Sequence, residues 1–288
     1  MDVKILTENT VYKRGFLGEH GLSLWIETGE KRYLFDMGQS GVFLKNAGKM
    51  KLDPECLDGI ILSHGHYDHC GGMTEWIGKQ NSNGKLLKIP VYVNERAFDR
   101  KYSRNPATGE LLFGGIREDA QKWMKEQANL ICTGAGCTEI AENVYLLSKI
   151  PCVTEFESVP ARFLKEVSAE MRQSGELIAD TMEDEQLLVF REKQGLCVFA
   201  GCAHPGIINC LYYVQASFPG EQIHSLVAGM HLKGCSAKRL ERTIASLQEL
   251  KIDVAVPLHC TGILAIAAIS EALGDKCVLA EVGKTITL

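Results

Sequence analysis

The sequence predicts a layered α/β architecture, with sheet in the middle and helices outside. Two observations carry this. The first third of the chain reads as short apolar strands separated by tight turns, and the last third alternates strand-like and helix-like segments. A third observation concerns where polar groups fall. Several apolar runs end on a histidine or an aspartate, and the ends of strands are where open α/β sheets present functional groups.

The elements follow in order. LSLWIET (22–28) and KRYLFDMG (31–38) flank Gly29-Glu30 and predict a hairpin. GIILSH (59–64) is a short apolar strand, and a helix is expected from about His69 to Gly78. IPVYVN (89–94) is a further strand. RNPATGELLFGG (104–115) has loop chemistry, EDAQKWMKEQAN (118–129) helical composition, and ARFLKEVSAEMRQSG (161–175) mixes helix formers with a glycine stop. EQLLVFRE (185–192) and GLCVFAG (195–201) form a strand pair. A helix from Pro205 to Ser217 places proline in its first turn. Then come strand 223–229, helix 236–250, strand 252–259, helix 263–274 and a last strand at 276–283.

Composition narrows the function classes. At 45% hydrophobic and 23% charged residues, with a net charge of -5, the chain is an ordinary globular one and lacks the excess positive charge of a broad nucleic-acid surface. No apolar run approaches the ~20 residues that span a bilayer, and no signal-peptide pattern opens the chain. Eleven cysteines, an odd number with no CxxC pair, read as reduced thiols of a cytoplasmic protein, many of them small core residues.

The stretch SHGHYDHCGG (63–72) holds three of the eight histidines within six positions. His64 and His66 are two apart, so in an extended segment both imidazoles point to one side. Asp68 and His69 follow at the turn into a helix and address a second point nearby. Histidine nitrogen and carboxylate oxygen suit zinc, manganese or ferrous iron. Four strand-end residues join the cluster as candidates: Asp36 after RYLF, His204 after GLCVFAGCA, His231 after SLVAGM and His259 after IDVAVPL. His20 and His224 read as ordinary surface histidines, and MEDE (182–185) as a surface turn before a strand. The basic run Arg96, Arg100, Lys101 and Arg104 could meet an anionic group or form a solvated face.

These residues resemble the metallo-β-lactamase fold superfamily, whose motif H-x-H-x-D-H reads here as His64, His66, Asp68 and His69. SHGHYDHCGG, DEQLLVF, GCAHPGIIN, AGMHL and PLHCTG together resemble one branch, which includes an archaeal 7,8-dihydropterin-6-methyl-4-(β-D-ribofuranosyl)aminobenzene 5'-phosphate synthase. The resemblance implies a single domain over 1–288 with the superfamily's four-layer αββα sandwich. The segment 99–180 then reads as an insertion covering the active site.

The resemblance also implies two divalent metal ions, with zinc expected and manganese or iron as alternatives. His64, His66 and His204 would hold one, and Asp68, His69 and His259 the other. Asp68 would also be catalytic, and Asp36 would support the ligands from behind. The implied function is a metal-dependent hydrolase that turns a metal-activated hydroxide on a small anionic substrate, phosphorylated or pterin-like. The alternatives are a dihydropterin-type synthase on the same site, a mononuclear iron oxygenase, and a binding protein without catalysis. No sequence feature favours β-lactam hydrolysis. One departure stands out: no aspartate lies between His204 and Asp253, where dinuclear members carry a bridging one. His231, in AGMHL, is the available polar group, as a ligand or as a catalytic group facing substrate.

Overall fold

In the computed structural model two sheets pack face to face. The structure describes residues 1–82, 89–167 and 176–288. In spatial order the first sheet is β17 (Thr285–Thr287), β1 (Asp2–Thr7), β2 (Ser23–Thr28), β3 (Lys31–Phe35), β4 (Gly59–Ile61), β5 (Pro90–Asn94) and β8 (Asn129–Thr133). The second is β16 (Val254–Leu258), β15 (Ile223–Gly229), β14 (Gly195–Ala200), β13 (Gln186–Glu192), β10 (Val144–Ser148) and β9 (Gly136–Ala141). A small antiparallel sheet, β12 (Leu177–Ala179), β11 (Phe163–Glu166), β6 (Lys101–Arg104) and β7 (Leu111–Phe113), stands apart from both.

Three apolar cores mark the interfaces between four layers. Side chains along a strand alternate between its two faces, so Leu24, Ile26, Tyr33 and Phe35 of the first sheet meet Leu188, Phe190, Phe199 and Val227 of the second. The opposite face of the first sheet, Trp25, Leu34 and Ile60 among others, packs on Phe43, Trp76 and Met124 of α1 (Val42–Lys49), α3 (Met73–Ser82) and α4 (Glu118–Gln127). The outer face of the second, with Leu187, Val189 and Val198, packs on Leu211, Leu247 and Ile269 of α5 (Ile207–Ser217), α6 (Ala237–Glu249) and α7 (Ile263–Leu273). Both faces of each sheet are therefore buried, which is why the strands read as continuous apolar runs. The result is the αββα sandwich.

Several expectations need correction. The helix expected from His69 to Gly78 is two pieces, α2 (Tyr67–Cys70) and α3, broken at Gly71-Gly72. Here the chain passes so close to the loop after β3 that a Cβ on Gly72 would come within 2.1 Å of the Met37 carbonyl oxygen, and one on Gly71 within 2.4 Å of that of Gln39. The helix expected from Pro205 starts at Ile207, because Gly206 enters with φ 113°. The strand expected over 276–283 is one bridge, Ala255 to Cys277, followed by a crossing to the first sheet, where residues 285–287 pair with β1. The stretch 161–175 begins as β11, and its remainder from 168 lies outside the described residues. Of the segment 99–180, residues 129–133 and 136–148 hold strands of the two large sheets, and the flanking stretches build the small sheet.

Candidate metal centre

Strands β3, β4 and β5 run parallel, as do β14, β15 and β16. Their carboxyl ends open on one edge of the sandwich, and there the chemistry collects. Asp36, Ala203, His231 and His259 all turn off strand ends with positive φ (61°, 51°, 46° and 52°). That conformation is costly for residues with a Cβ and clusters at functional sites.

Four of the histidines, His64, His69, His204 and His259, are held by one ring nitrogen so that the other is presented. Asp36 accepts from Ser63 N and Oγ (both 2.7 Å) and from His69 Nδ1 (2.6 Å). A carboxylate cannot donate, so His69 Nδ1 carries the proton and Nε2 carries a lone pair. Ser63 Oγ, donating to Asp36, accepts from His64 Nδ1 at 2.9 Å. His204 Nδ1 donates to Glu185 at 2.7 Å, and His259 Nδ1 donates to the Asn9 side-chain oxygen at 3.0 Å. Partners of this kind fix tautomer and ring orientation around metals.

The presented nitrogens converge. His64 Nε2 lies 3.0 Å from His66 Nδ1, and His64, His66 and His204 bring donor atoms within 4.8 Å of one another. His69 Nε2 faces His259 Nε2 at 3.1 Å, and Asp68 Oδ2 lies 3.4 Å from His259 Nε2 and 3.8 Å from His69 Nε2. Because both Nδ1 protons of His69 and His259 are committed to oxygen acceptors, two lone pairs point at each other. Only positive charge between them relieves this, as a proton or a metal ion. Burial opposes a proton on His69, yet Asp36 and Asp68 draw it in, leaving His69 raised to about 9. Burial, helped by neighbouring imidazoles, holds His64 and His66 well below their ordinary range, so both keep free lone pairs. Burial alone would raise Asp68, but His69 beside it, the hydrogen bond from His20 and the nearby His259 ring hold its carboxyl well below the usual carboxylate range. With His64 and His66 neutral, Asp68 ionised, and a metal ion able to take the place of the His69 proton, the donor set fits a divalent cation.

The remaining candidates sort as follows. His231 stands beside the cluster, its ring 4.7 Å from that of His204, and its Nε2 accepts from Arg162 at 3.2 Å. Two residues read as surface groups are part of the site. His20 Nε2 lies 3.2 Å from Asp68 and its ring stacks on His259 at 5.2 Å. Glu185 is fully buried and accepts from the backbone N–H of Cys202, Ala203 and His204 as well as the His204 ring. Antiparallel pairing places the start of β13 beside the end of β14, so a strand's first residues face the site as well as its last. His224 pairs with Asp253 at 3.1 Å. Lys101 and Arg100 are not free to meet an anion. Lys101 is buried between Asp180 and Asp184 (2.6 and 2.9 Å), and Arg100 is paired with Glu118 and Glu166.

Above the cluster lies a cavity of about 500 Å³. Phe163 of the small sheet packs on His66 and His204, each 5.0 Å between ring centroids, and Leu112 and Phe113 add an apolar wall. Arg162 and Lys233 also line it, and among the described residues neither has a carboxylate partner.

The family model for the metallo-β-lactamase superfamily matches residues 18–85, which include Asp36 and the histidine cluster. An uncharacterized protein of Methanocaldococcus jannaschii is 32% identical over 99% of both chains. The crystal structure of Tm1679, a metal-dependent hydrolase of the beta-lactamase superfamily, is 30% identical with a TM-score of 0.83, covering 100% of this chain and 99% of that one. The chain belongs to the metallo-β-lactamase superfamily. Within it, the 7,8-dihydropterin-6-methyl-4-(beta-D-ribofuranosyl)-aminobenzene-5'-phosphate synthase of M. jannaschii is 26% identical over 96% of this chain and 92% of its own. Divalent-metal binding goes with the superfamily fold, and this member carries groups of histidine, cysteine and aspartate donors close enough together to hold an ion. No helix among the described residues is long and apolar enough to cross a membrane.

Proposed function

We propose that the protein is a metal-dependent hydrolase of a small anionic substrate. One observation carries the reading: presented histidine nitrogens and the Asp68 carboxylate converge beneath a cavity with two cations, Arg162 and Lys233, on its wall. His64, His66 and His204 would hold one ion, and Asp68, His69 and His259 a second. Zinc fits both groups, with manganese or iron as alternatives. Such ions bring the pKa of water towards ~7 and take up negative charge in the transition state. The chain's own groups do the rest. His20 hydrogen-bonds Asp68 Oδ2, the oxygen that also faces His69 and His259, and fixes its direction. Arg162, its guanidinium on the Phe163 ring at 4.9 Å, offers a planar fork to a phosphate or carboxylate. Burial keeps His231 below its ordinary range and therefore neutral. With Nε2 accepting from Arg162, it orients that guanidinium at the substrate rather than standing in for a bridging aspartate. The small sheet, through Phe163 and Phe113, keeps water from the cavity.

Protein purified without added metal, assayed for metal content and against phosphomonoesters and phosphodiesters, tests this reading. Two zinc or manganese ions per chain with ester turnover are expected. Arg162→Ala should then raise KM about 10–100-fold, the loss of one charge-assisted hydrogen bond, with kcat changed less. A single iron with oxygen uptake and no ester turnover would overturn it in favour of an oxygenase. The synthase relative supports a second reading, condensation at the same site, and product analysis with a pterin alcohol or phosphate donor separates the two.

Glu185 supplies a further expectation. Glu185→Gln keeps the shape but weakens the grip on His204 Nδ1 and on three backbone N–H groups. Metal affinity should fall about 10–100-fold, read by competition with a chromophoric chelator. Unchanged affinity would show that His204 is not a ligand.

A further inference from the structure

Five cysteines are buried, and they fall into two kinds. Cys70, Cys197 and Cys210 each sit inside an apolar core, where a thiol behaves as a small hydrophobe. Cys202 and Cys260 belong to none of these cores. Cys202 is 3% exposed and faces nitrogen, with its Sγ 3.2 Å from His69 Nε2. It is within 4.8 Å of donor atoms in three separate groups: with His64 and His69, with His204 and His231, and with His259 and Cys260. No other of the described residues joins as many. Its sulfur therefore lies between the two sets of donors that the proposed function assigns to two ions.

The backbone holds it there. A Cβ on Gly201 would come within 2.1 Å of Ser63 Oγ, and one on Gly229 within 2.1 Å of the Gly201 carbonyl oxygen, so the chain before Cys202 is pressed between β4 and β15. Glu185 accepts from Cys202 N, and Ala203 follows with φ 51°. Downstream, between His204 and Asp253, the chain carries no aspartate.

We infer that Cys202 is a sulfur donor to the metal centre, from its position between the two groups of histidine donors. On binding, the thiol proton leaves to solvent and the sulfur lone pair makes the bond. A thiolate is a soft ligand, so it biases the site towards zinc, cobalt or ferrous iron and away from manganese and magnesium. The inference rests on the metal assignment proposed above, and its test separates the two.

Apo-protein titrated with cobalt(II) reports both. Visible ligand-field bands show that the ion is bound, and a near-ultraviolet charge-transfer band shows sulfur bound to it. The wild-type protein is expected to show both. Cys202→Ser, which keeps the volume, should lose the sulfur band and keep the visible ones. Cys260→Ala should keep both. Cobalt bound without a sulfur band in the wild type would overturn the inference and leave the metal centre standing, as would a band that survives Cys202→Ser. No cobalt binding at all would overturn both. If Cys202→Ser fails to fold, reaction of the wild type with a thiol reagent decides. Cobalt should slow labelling of Cys202, mapped by peptide mass, and equal labelling with and without the ion would refute it.

Discussion

Alanine at His66 is expected to strip divalent metal and turnover from the protein together while the chain stays folded. The size follows from position. His66 brings one of the three donors of the first group, and loss of a donor should cost more than the ~10–100-fold in affinity that follows loss of a mere supporting partner. The fold should survive for two reasons. His66 stands at the entry to α2 without capping it through its side chain, and it lies on the cavity floor against Phe163 rather than inside an apolar core. A melt with and without chelator reads the difference. An ion at about 100 times its dissociation constant stabilises by ~2.7 kcal/mol, so chelation should lower the wild-type melting temperature by clearly more than that of the variant. A His66→Ala protein with full metal and full turnover would sink the ligand assignment.

How much of this was legible in the sequence depends on distance along the chain. The H-x-H-x-D-H cluster is local, and its spacing alone places the donors on one turn of backbone. His204 and His259 are legible because each closes an apolar strand, and parallel strands with crossover helices bring such ends to one edge. Asp36 follows the same rule and proves to be the hydrogen-bond partner of His69 across 33 residues. Glu185 does not follow it. It opens a strand instead of closing one, and only the antiparallel pairing of β13 with β14 reveals that its carboxylate lies under His204. Asn9 and His20 come from loops whose course no periodicity records, and Cys202 looks like any cysteine beside an apolar run. The final strand was misplaced for a related reason. KCVLAEVG has strand composition, yet its backbone is spent on crossing from the second sheet to the first, with Val282 N bound to the Thr10 carbonyl.

Lys101 was the least legible of all, because a lysine in a basic run gives no sign of being 1% exposed. Its replacement by methionine is expected to destabilise the protein by about 3–5 kcal/mol at neutral pH, since it strands two buried carboxylates, Asp180 and Asp184, without their cation. The pH dependence carries the sign. Burial alone would raise Asp184, but Lys101 holds it below its ordinary value, so in the wild type this group stabilises above the unfolded value of ~3.9 and the gain is lost as pH falls through the lower folded value. Without Lys101, burial raises the Asp184 carboxyl. The penalty is then largest at pH 7 and shrinks as the pH falls towards ~4 and it protonates. Urea unfolding of both proteins at the two pH values measures it. A penalty that is the same at both would show that Lys101 acts by packing its stem and not by its charge. The consequence reaches the site, because the other oxygen of Asp184 accepts from the backbone N–H of Gly65, between His64 and His66, at 2.8 Å. One buried ion pair thus fastens β6 of the small sheet to the loop that carries the histidines. Loosening it should move cap and cluster together, lowering metal affinity in a protein whose donor residues are all intact.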